Sequence, residues 1–176
     1  MPTVFPSQAV DTALVQSARD GNRAAFGELY GRYQRMVHGI LLAHVSYTDA
    51  EDLMQTVFMQ AMQRLPALRE TEAFGGWLAA IARNLANDHH RRRKNLVGLT
   101  ESECGSAPAH EPEQALEAIR RLPEAYRETL MLRLVEGMTG PEIAARTGLT
   151  ADSVRVNLCR GMKLLRAELE GKGKHA

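Results

Sequence analysis

The sequence is short of most residues from which an enzyme or a membrane protein is read. It has two cysteines, Cys104 and Cys159, in 176 residues. They stand far apart and form no Cys-x-x-Cys pair, so reduced, non-structural thiols are expected. No run of eighteen or more apolar residues occurs, which leaves no transmembrane helix to propose. The start, "MPTVFPSQAVD", lacks the positive charge and apolar core of a secretory signal, so a cytoplasmic chain without membrane insertion is expected. Neither sign of charge dominates: 22 Lys and Arg face 21 Asp and Glu, and only an uneven distribution of that charge can point to a partner. No nucleophile-base pair, Gly-rich phosphate loop or metal-ligand set appears. Catalytic residues, metal and cofactors are therefore all expected to be none, and the chain is not expected to be an enzyme.

What is present is helical spacing, in segment after segment, with no persistent strand-like alternation. The expected fold class is all-α. A first helix from about Asp11 stops at Asp20-Gly21, and Asn22 is placed to cap the next, whose apolar face runs Phe26, Leu29, Tyr30, Tyr33, Val37, Ile40, Leu41 and His44. Thr48 and Glu51 have capping-box spacing for a third helix, with Leu53, Met54, Val57, Phe58, Ala61, Met62 and Leu65 expected in the core. Trp77, Leu78, Ile81 and Leu85 form the stripe of a fourth helix, with Phe74 at its entrance. Periodicity then disappears in "NLVGLTESECGSAPAHEP", a composition that suits a flexible linker. Three parts follow: residues 1–94 as an N-terminal helical domain, 95–112 as linker, and 113–176 as a small C-terminal domain of four short helices.

The C-terminal part contains "MTGPEIAARTGLTADSVRVNLCRGMKLL". Thr139 and Glu142 suit a capping box, Gly148 a tight turn and Thr150 a second cap, while Leu149 is expected to plug the angle between two helices. This is the helix-turn-helix plan, whose second helix enters the DNA major groove. Val154, Leu158 and Leu165 anchor that helix. Asp152, Arg155, Val156, Cys159, Arg160 and Lys163 then face outward, and Arg155 and Asn157 can reach base edges.

A second basic surface lies on the fourth helix, where Arg83, Asn84, Asn87, Arg91 and Lys94 recur at helical spacing opposite the apolar stripe. The helix macrodipole also favours cations at a C-terminus, but two exposed amides beside arginines suit the reading of bases. Asp88 is placed to pair with Arg91 or Arg92 as a brace. His89 and His90 are adjacent and expected to point to different faces, which disfavours a shared metal ion. The third helix opens with acids, Asp49, Glu51 and Asp52. These stabilise a helix N-terminus and also make a negative edge for a basic partner.

Taken in order, "RDGNRAAFGELYGRYQRMV", "DAEDLMQTVF", "FGGWLAAIARNLANDHHRRR", "LPEAYRETLMLRLVEGMTGPEIAARTGL" and "DSVRVNLCRGMKLLR" resemble the segments of a bacterial RNA polymerase sigma factor of the extracytoplasmic-function (ECF) group. The likeness extends from Asp11 to about Leu169. It implies a region-2-like helical bundle and a region-4-like helix-turn-helix domain in a promoter-specificity subunit that docks on core polymerase and melts promoter DNA. It further implies that Asp49, Asp52 and Gln55 dock on the clamp helices of the largest catalytic subunit. "RETEAFGGW" is similar to the loop that holds an unstacked base of the minus-ten element, which places Phe74, Trp77, Arg83, Asn84, Asn87, Arg91 and Lys94 at reading and melting. Thr150, Ser153, Arg155, Val156, Asn157, Arg160 and Lys163 would meet the minus-thirty-five element. The implied partners are core RNA polymerase, promoter DNA and an anti-sigma factor.

The chain departs from the family pattern at Thr56, where an acid is common, at Met62, where Trp is frequent, and at Val156 and Asn157, where Ser and Arg are frequent. Two other readings fit parts of the sequence. One is a stand-alone helix-turn-helix regulator. The other is a metal-dependent helical enzyme using His89, His90, His110 and Cys104.

Overall fold

The computed structural model describes residues 6–97 and 111–172, with side chains for 11–93 and 113–170. Among these residues all regular structure is helical: α1 Pro6–Arg19, α2 Arg23–Leu42, α3 Tyr47–Arg64, α4 Phe74–Val97, α5 Glu111–Arg120, α6 Glu124–Leu134, α7 Gly140–Thr147 and α8 Ala151–Lys172. Two single 3₁₀ turns, Leu65–Ala67 and Thr71–Ala73, lie between α3 and α4. Residues 98–110, the body of the expected linker with Cys104 and His110, lie outside the described residues.

The helix boundaries follow from caps. Asn22 accepts from the amides of Ala24 and Ala25 at 3.0 and 3.2 Å, as expected of a residue whose side chain replaces missing intrahelical partners. Gly21 just before it has φ +97°, a conformation that glycine adopts without a Cβ penalty. The cap of α3 differs from the sequence expectation. Ser46, not Thr48, is the N-cap, its hydroxyl accepting from the Asp49 amide at 3.2 Å and donating to the Asp49 carboxylate at 2.6 Å. Helix α3 starts two residues earlier because Ser46 holds the extended backbone, φ −64° and ψ 164°, that an N-cap requires. α1 also begins earlier than Asp11, at Pro6.

Helix α2 is the centre of the molecule. Leu29, Tyr33, Val37, Ile40 and Leu41 are buried, as the helical stripe predicted, but so are Met36, Gly39, Leu42 and Ala43 on a second side. The first side packs on α1, α3 and α4; the second receives α6 and α7 of the C-terminal half. One buried core thus runs through both halves, from Val15 and Leu29 to Leu132, Ile143, Val154 and Leu165. Each fully buried Leu-sized side chain contributes about 1.5–3 kcal/mol. Gly39 is what lets α6 approach: a Cβ there would stand 2.7 Å from Leu132 Cδ2.

Two core expectations are corrected. Met62 is 51% exposed and Leu149 is 38% exposed. Met62 lies on the solvent side of α3, ten residues and nearly three turns after Asp52. Leu149 sits in the helix-turn-helix turn, where Ile143 and Val154 already close the angle between α7 and α8.

Candidate nucleic-acid interface

The helix-turn-helix is built as its sequence signals require. Thr139 caps α7: its hydroxyl accepts from the Glu142 amide at 3.3 Å, and the Glu142 carboxylate accepts from the Thr139 amide at 2.7 Å. These donors hold the Glu142 carboxyl below the ordinary carboxylate range. Gly148 ends α7 with φ +77°, the left-handed C-cap that only glycine takes without strain. Thr150 then caps α8 by accepting from the Ser153 amide at 3.1 Å.

The outer face of α8 carries Ser153, Arg155, Val156, Cys159, Arg160 and Lys163, all exposed. Arg155 is braced by Asp152 at 3.0 Å. Asn157 does not belong to this face. It is partly buried, and its amide nitrogen donates toward Thr129 Oγ1 on α6 at 3.4 Å. Asn157 falls on the inward side of α8, next to the buried Val154, where it bridges α8 to α6.

On α4, Asn84, Asn87 and Arg91 are exposed along one stripe. Neither asparagine has a side-chain partner among the described residues, so both amides are free to donate and accept. Asp88 pairs with Arg91, the expected brace. The Lys94 side chain lies outside the described residues. Arg83 departs from the stripe: its guanidinium grips Glu128 of α6 through Nε and Nη2, each at 2.8 Å. His44 of α2 meets the same carboxylate at 3.0 Å. Burial pushes the Glu128 carboxyl up, but His44 and Arg83 together hold it below its ordinary value.

Phe74 is likewise not free to meet a base. It is 2% exposed, with its ring packed on Tyr33 at 5.1 Å and 84° and on Trp77 at 5.7 Å. Trp77 is partly exposed. Both border a cavity of about 370 Å³ formed by residues 71–77 on one side and by Ala145, Thr147 and Gly148 of the helix-turn-helix on the other. The loop "RETEAFGGW" is thus walled by the turn of the C-terminal half. A buried ionic hub sets that contact: Asp11, 6% exposed, pairs with Arg32 at 2.8 Å, accepts from the Tyr33 hydroxyl at 3.0 Å and pairs with Arg146 of α7. The Arg146 guanidinium also lies 4.8 Å from the Tyr33 ring centre. The pairings of Asp11, Glu128 and Arg146 leave no local sequence signal, since the partners of each lie in other helices.

The outer face of α3 has Asp52, Gln55, Met59 and Met62 exposed at helical spacing. Asp49 is only partly exposed and is committed to Ser46, to Arg93 at 3.3 Å and to His89 at 3.6 Å. His89 and His90, expected on different faces, border one cavity at the junction of the halves.

Sigma-70 region 2 matches residues 29–96, and Sigma-70, region 4 matches residues 113–165. RNA polymerase sigma factor CarQ of Myxococcus xanthus is 31% identical over 164 residues, covering 88% of this chain and 94% of CarQ. The ECF RNA polymerase sigma factor BldN of Streptomyces coelicolor is 30% identical over 166 residues, 86% of this chain; the chain spans 63% of BldN's length. Among solved structures, CnrH in complex with the cytosolic domain of CnrY is similar with a TM-score of 0.62 and 27% identity, over 92% of this chain and 97% of that one. The chain belongs to the RNA polymerase sigma factors, non-enzymatic proteins that direct promoter-specific initiation of transcription. Within that family it is a member of the ECF group. No helix among the described residues is long and apolar enough to cross a membrane.

Proposed function

We propose that this chain acts in the cytoplasm as a dissociable promoter-specificity subunit, with residues 1–94 docking on core RNA polymerase and opening the minus-ten element and residues 113–176 reading the minus-thirty-five element. The observation that carries the reading is the presence, on one chain, of three exposed surfaces of the required chemistry. The α3 face of Asp52, Gln55, Met59 and Met62 combines an acid and an amide with exposed apolar side chains, a composition suited to the clamp helices of the largest subunit. Asn84, Asn87 and Arg91 present amides and a guanidinium for base edges or unstacked bases. Arg155, Val156, Arg160 and Lys163, with Ser153 and the Thr150 cap, form the duplex-facing side of α8.

In this arrangement Arg83 and Asn157 hold the fold together, and Phe74 backs Trp77 from the core. The base-holding loop faces the helix-turn-helix turn, so the halves part before DNA enters. The likeness to CnrH, solved with the cytosolic domain of CnrY, supports a further protein partner, for which the sequence resemblance implies an anti-sigma factor. Adding the purified chain to sigma-free core polymerase tests the proposal: co-purification and start-site-specific transcripts from genomic fragments are expected. A stand-alone regulator would instead bind duplex DNA tightly without polymerase.

A further inference from the structure

The junction between the two halves forms another cavity, open to solvent and of about 410 Å³, beside the α2–α3 connection. The N-terminal half lines it with His44, Asp49, His89, His90 and Arg93; the C-terminal half adds Glu117, Arg120 and Arg127. Three guanidiniums therefore face two carboxylates. Both carboxylates are already engaged. Asp49 takes Ser46 and Arg93, while Glu117 lies 3.7 Å from Arg120 and 3.7 Å from Arg121. Arg120 is further anchored by donating Nε to the Leu42 carbonyl at 2.9 Å.

Arg127 is different. It is only partly exposed, and among the described residues its guanidinium has neither a hydrogen bond nor an ion pair; its Nε is buried with no acceptor. A buried donor without a partner costs about 1–3 kcal/mol, more when charged, and such groups in folded proteins call for an explanation. A planar fork of donors in a basic cavity matches the oxygens of a phosphoryl group. The cavity volume falls in the range of small-ligand sites.

We propose that this cavity binds a small, multiply charged phosphoryl anion that accepts from Arg127 and bridges it to Arg93. Because Arg93 lies on α4 and Arg127 on α6, such a ligand ties the two halves together and favours the closed packing. The site is separate from the promoter-reading surfaces and does not depend on their assignment.

The test uses the full chain and sodium pyrophosphate, followed by isothermal titration calorimetry and thermal unfolding, with sodium chloride at matched ionic strength as the reference. Saturable binding at one site and a rise in melting temperature beyond the chloride reference are expected. Arg127→Gln should weaken pyrophosphate at least about tenfold, the loss of one charge-assisted contact, while melting normally without ligand. If that variant fails to fold, Arg93→Gln, whose side chain is 67% exposed, serves in its place with the same expected direction. Arg23→Gln, at the far end of α2, should bind like the parent chain. The proposal is overturned if the thermal shift follows ionic strength alone or if the cavity variants bind as tightly as the parent. Equal weakening by Arg23→Gln overturns it too, as does binding of a short single-stranded oligonucleotide at the cavity with no binding of pyrophosphate.

Discussion

Arg83 of α4 and Glu128 of α6 are joined through both carboxylate oxygens, with Nε at 2.8 and 3.0 Å and Nη2 at 2.8 Å. The same carboxylate takes His44 of α2 at 3.0 Å. One acid of the C-terminal half thus holds two helices of the N-terminal half. Breaking a buried pair leaves an uncompensated charge, which costs more than the intact pair contributes. Glu128→Gln should therefore lower unfolding stability at neutral pH by about 2–4 kcal/mol, read by urea denaturation, and should enlarge the radius of gyration in solution scattering. An unchanged radius and stability would remove Glu128 from the junction.

The same carboxylate sets an acid dependence. Glu128 ionises more readily folded than unfolded, so its contribution is complete above its ordinary pKa of 4.5 and is lost as pH falls through the lower folded value. The stability gap between the parent chain and Glu128→Gln should be constant from pH 7 to about 5 and close below 4.5. A gap that closes between pH 7 and 6 instead would assign the contact's pH dependence to other groups.

At Gly75 the backbones of the two halves approach closely. A Cβ there would overlap the carbonyl oxygen of Arg146 and stand 3.2 Å from Tyr33 Cε1. The neighbouring Gly76 would meet only ordinary contact, at 3.6 Å from the Thr147 carbonyl. Gly75→Ala should separate α4 from α7 and expand the molecule in scattering, whereas Gly76→Ala should leave its dimensions unchanged. Both gain up to about 1 kcal/mol of helix propensity, so a loss of compactness confined to Gly75→Ala isolates the steric effect.

Tyr33 reports on the buried hub. Burial and then the Asp11 charge push its hydroxyl up from 10 to about 12. Since the folded state holds this proton more tightly, its contribution is present below pH 10 and is lost as pH rises toward 12. Ultraviolet titration should find one of the four tyrosines ionising near 12. Asp11→Asn should move that step downward.

The proposed division of labour predicts opposite failures. Asp52→Lys should weaken core polymerase binding by about tenfold and leave opening unimpaired once the complex forms. Asn84→Ala should bind polymerase normally and slow promoter opening, followed by permanganate reactivity of unpaired thymines. Equal effects of both substitutions in both assays would refute the assignment.

Much of this was legible because it rests on local rules. The Asn22, Thr139 and Thr150 caps, the glycine turns at 21 and 148, and the Asp88 brace all depend on residues a few positions apart. Helix spacing likewise identified Leu29, Tyr33 and Ile40 as core. What was not legible depends on packing between distant segments. Met36, Gly39 and Leu42 read as the back of an amphipathic helix, and only docking of α6 makes that back a second core face. Arg83 and Asn157 read as exposed polar residues because Glu128 and Thr129, their partners, are on another helix. Phe74 has the residue type of a stacking platform, but Tyr33 and Trp77 close around it. Thr48 and Glu51 have capping-box spacing, which points to Thr48, whereas the decisive factor is the extended backbone at Ser46.

The most direct test of the central reading is run-off transcription with sigma-free core polymerase, the purified chain and a library of genomic promoter fragments. The account predicts transcripts from discrete start sites that appear only when the chain is present and that fall with Asn84→Ala. Absence of any start-specific transcript, with no co-purification of the chain and core polymerase, would contradict it.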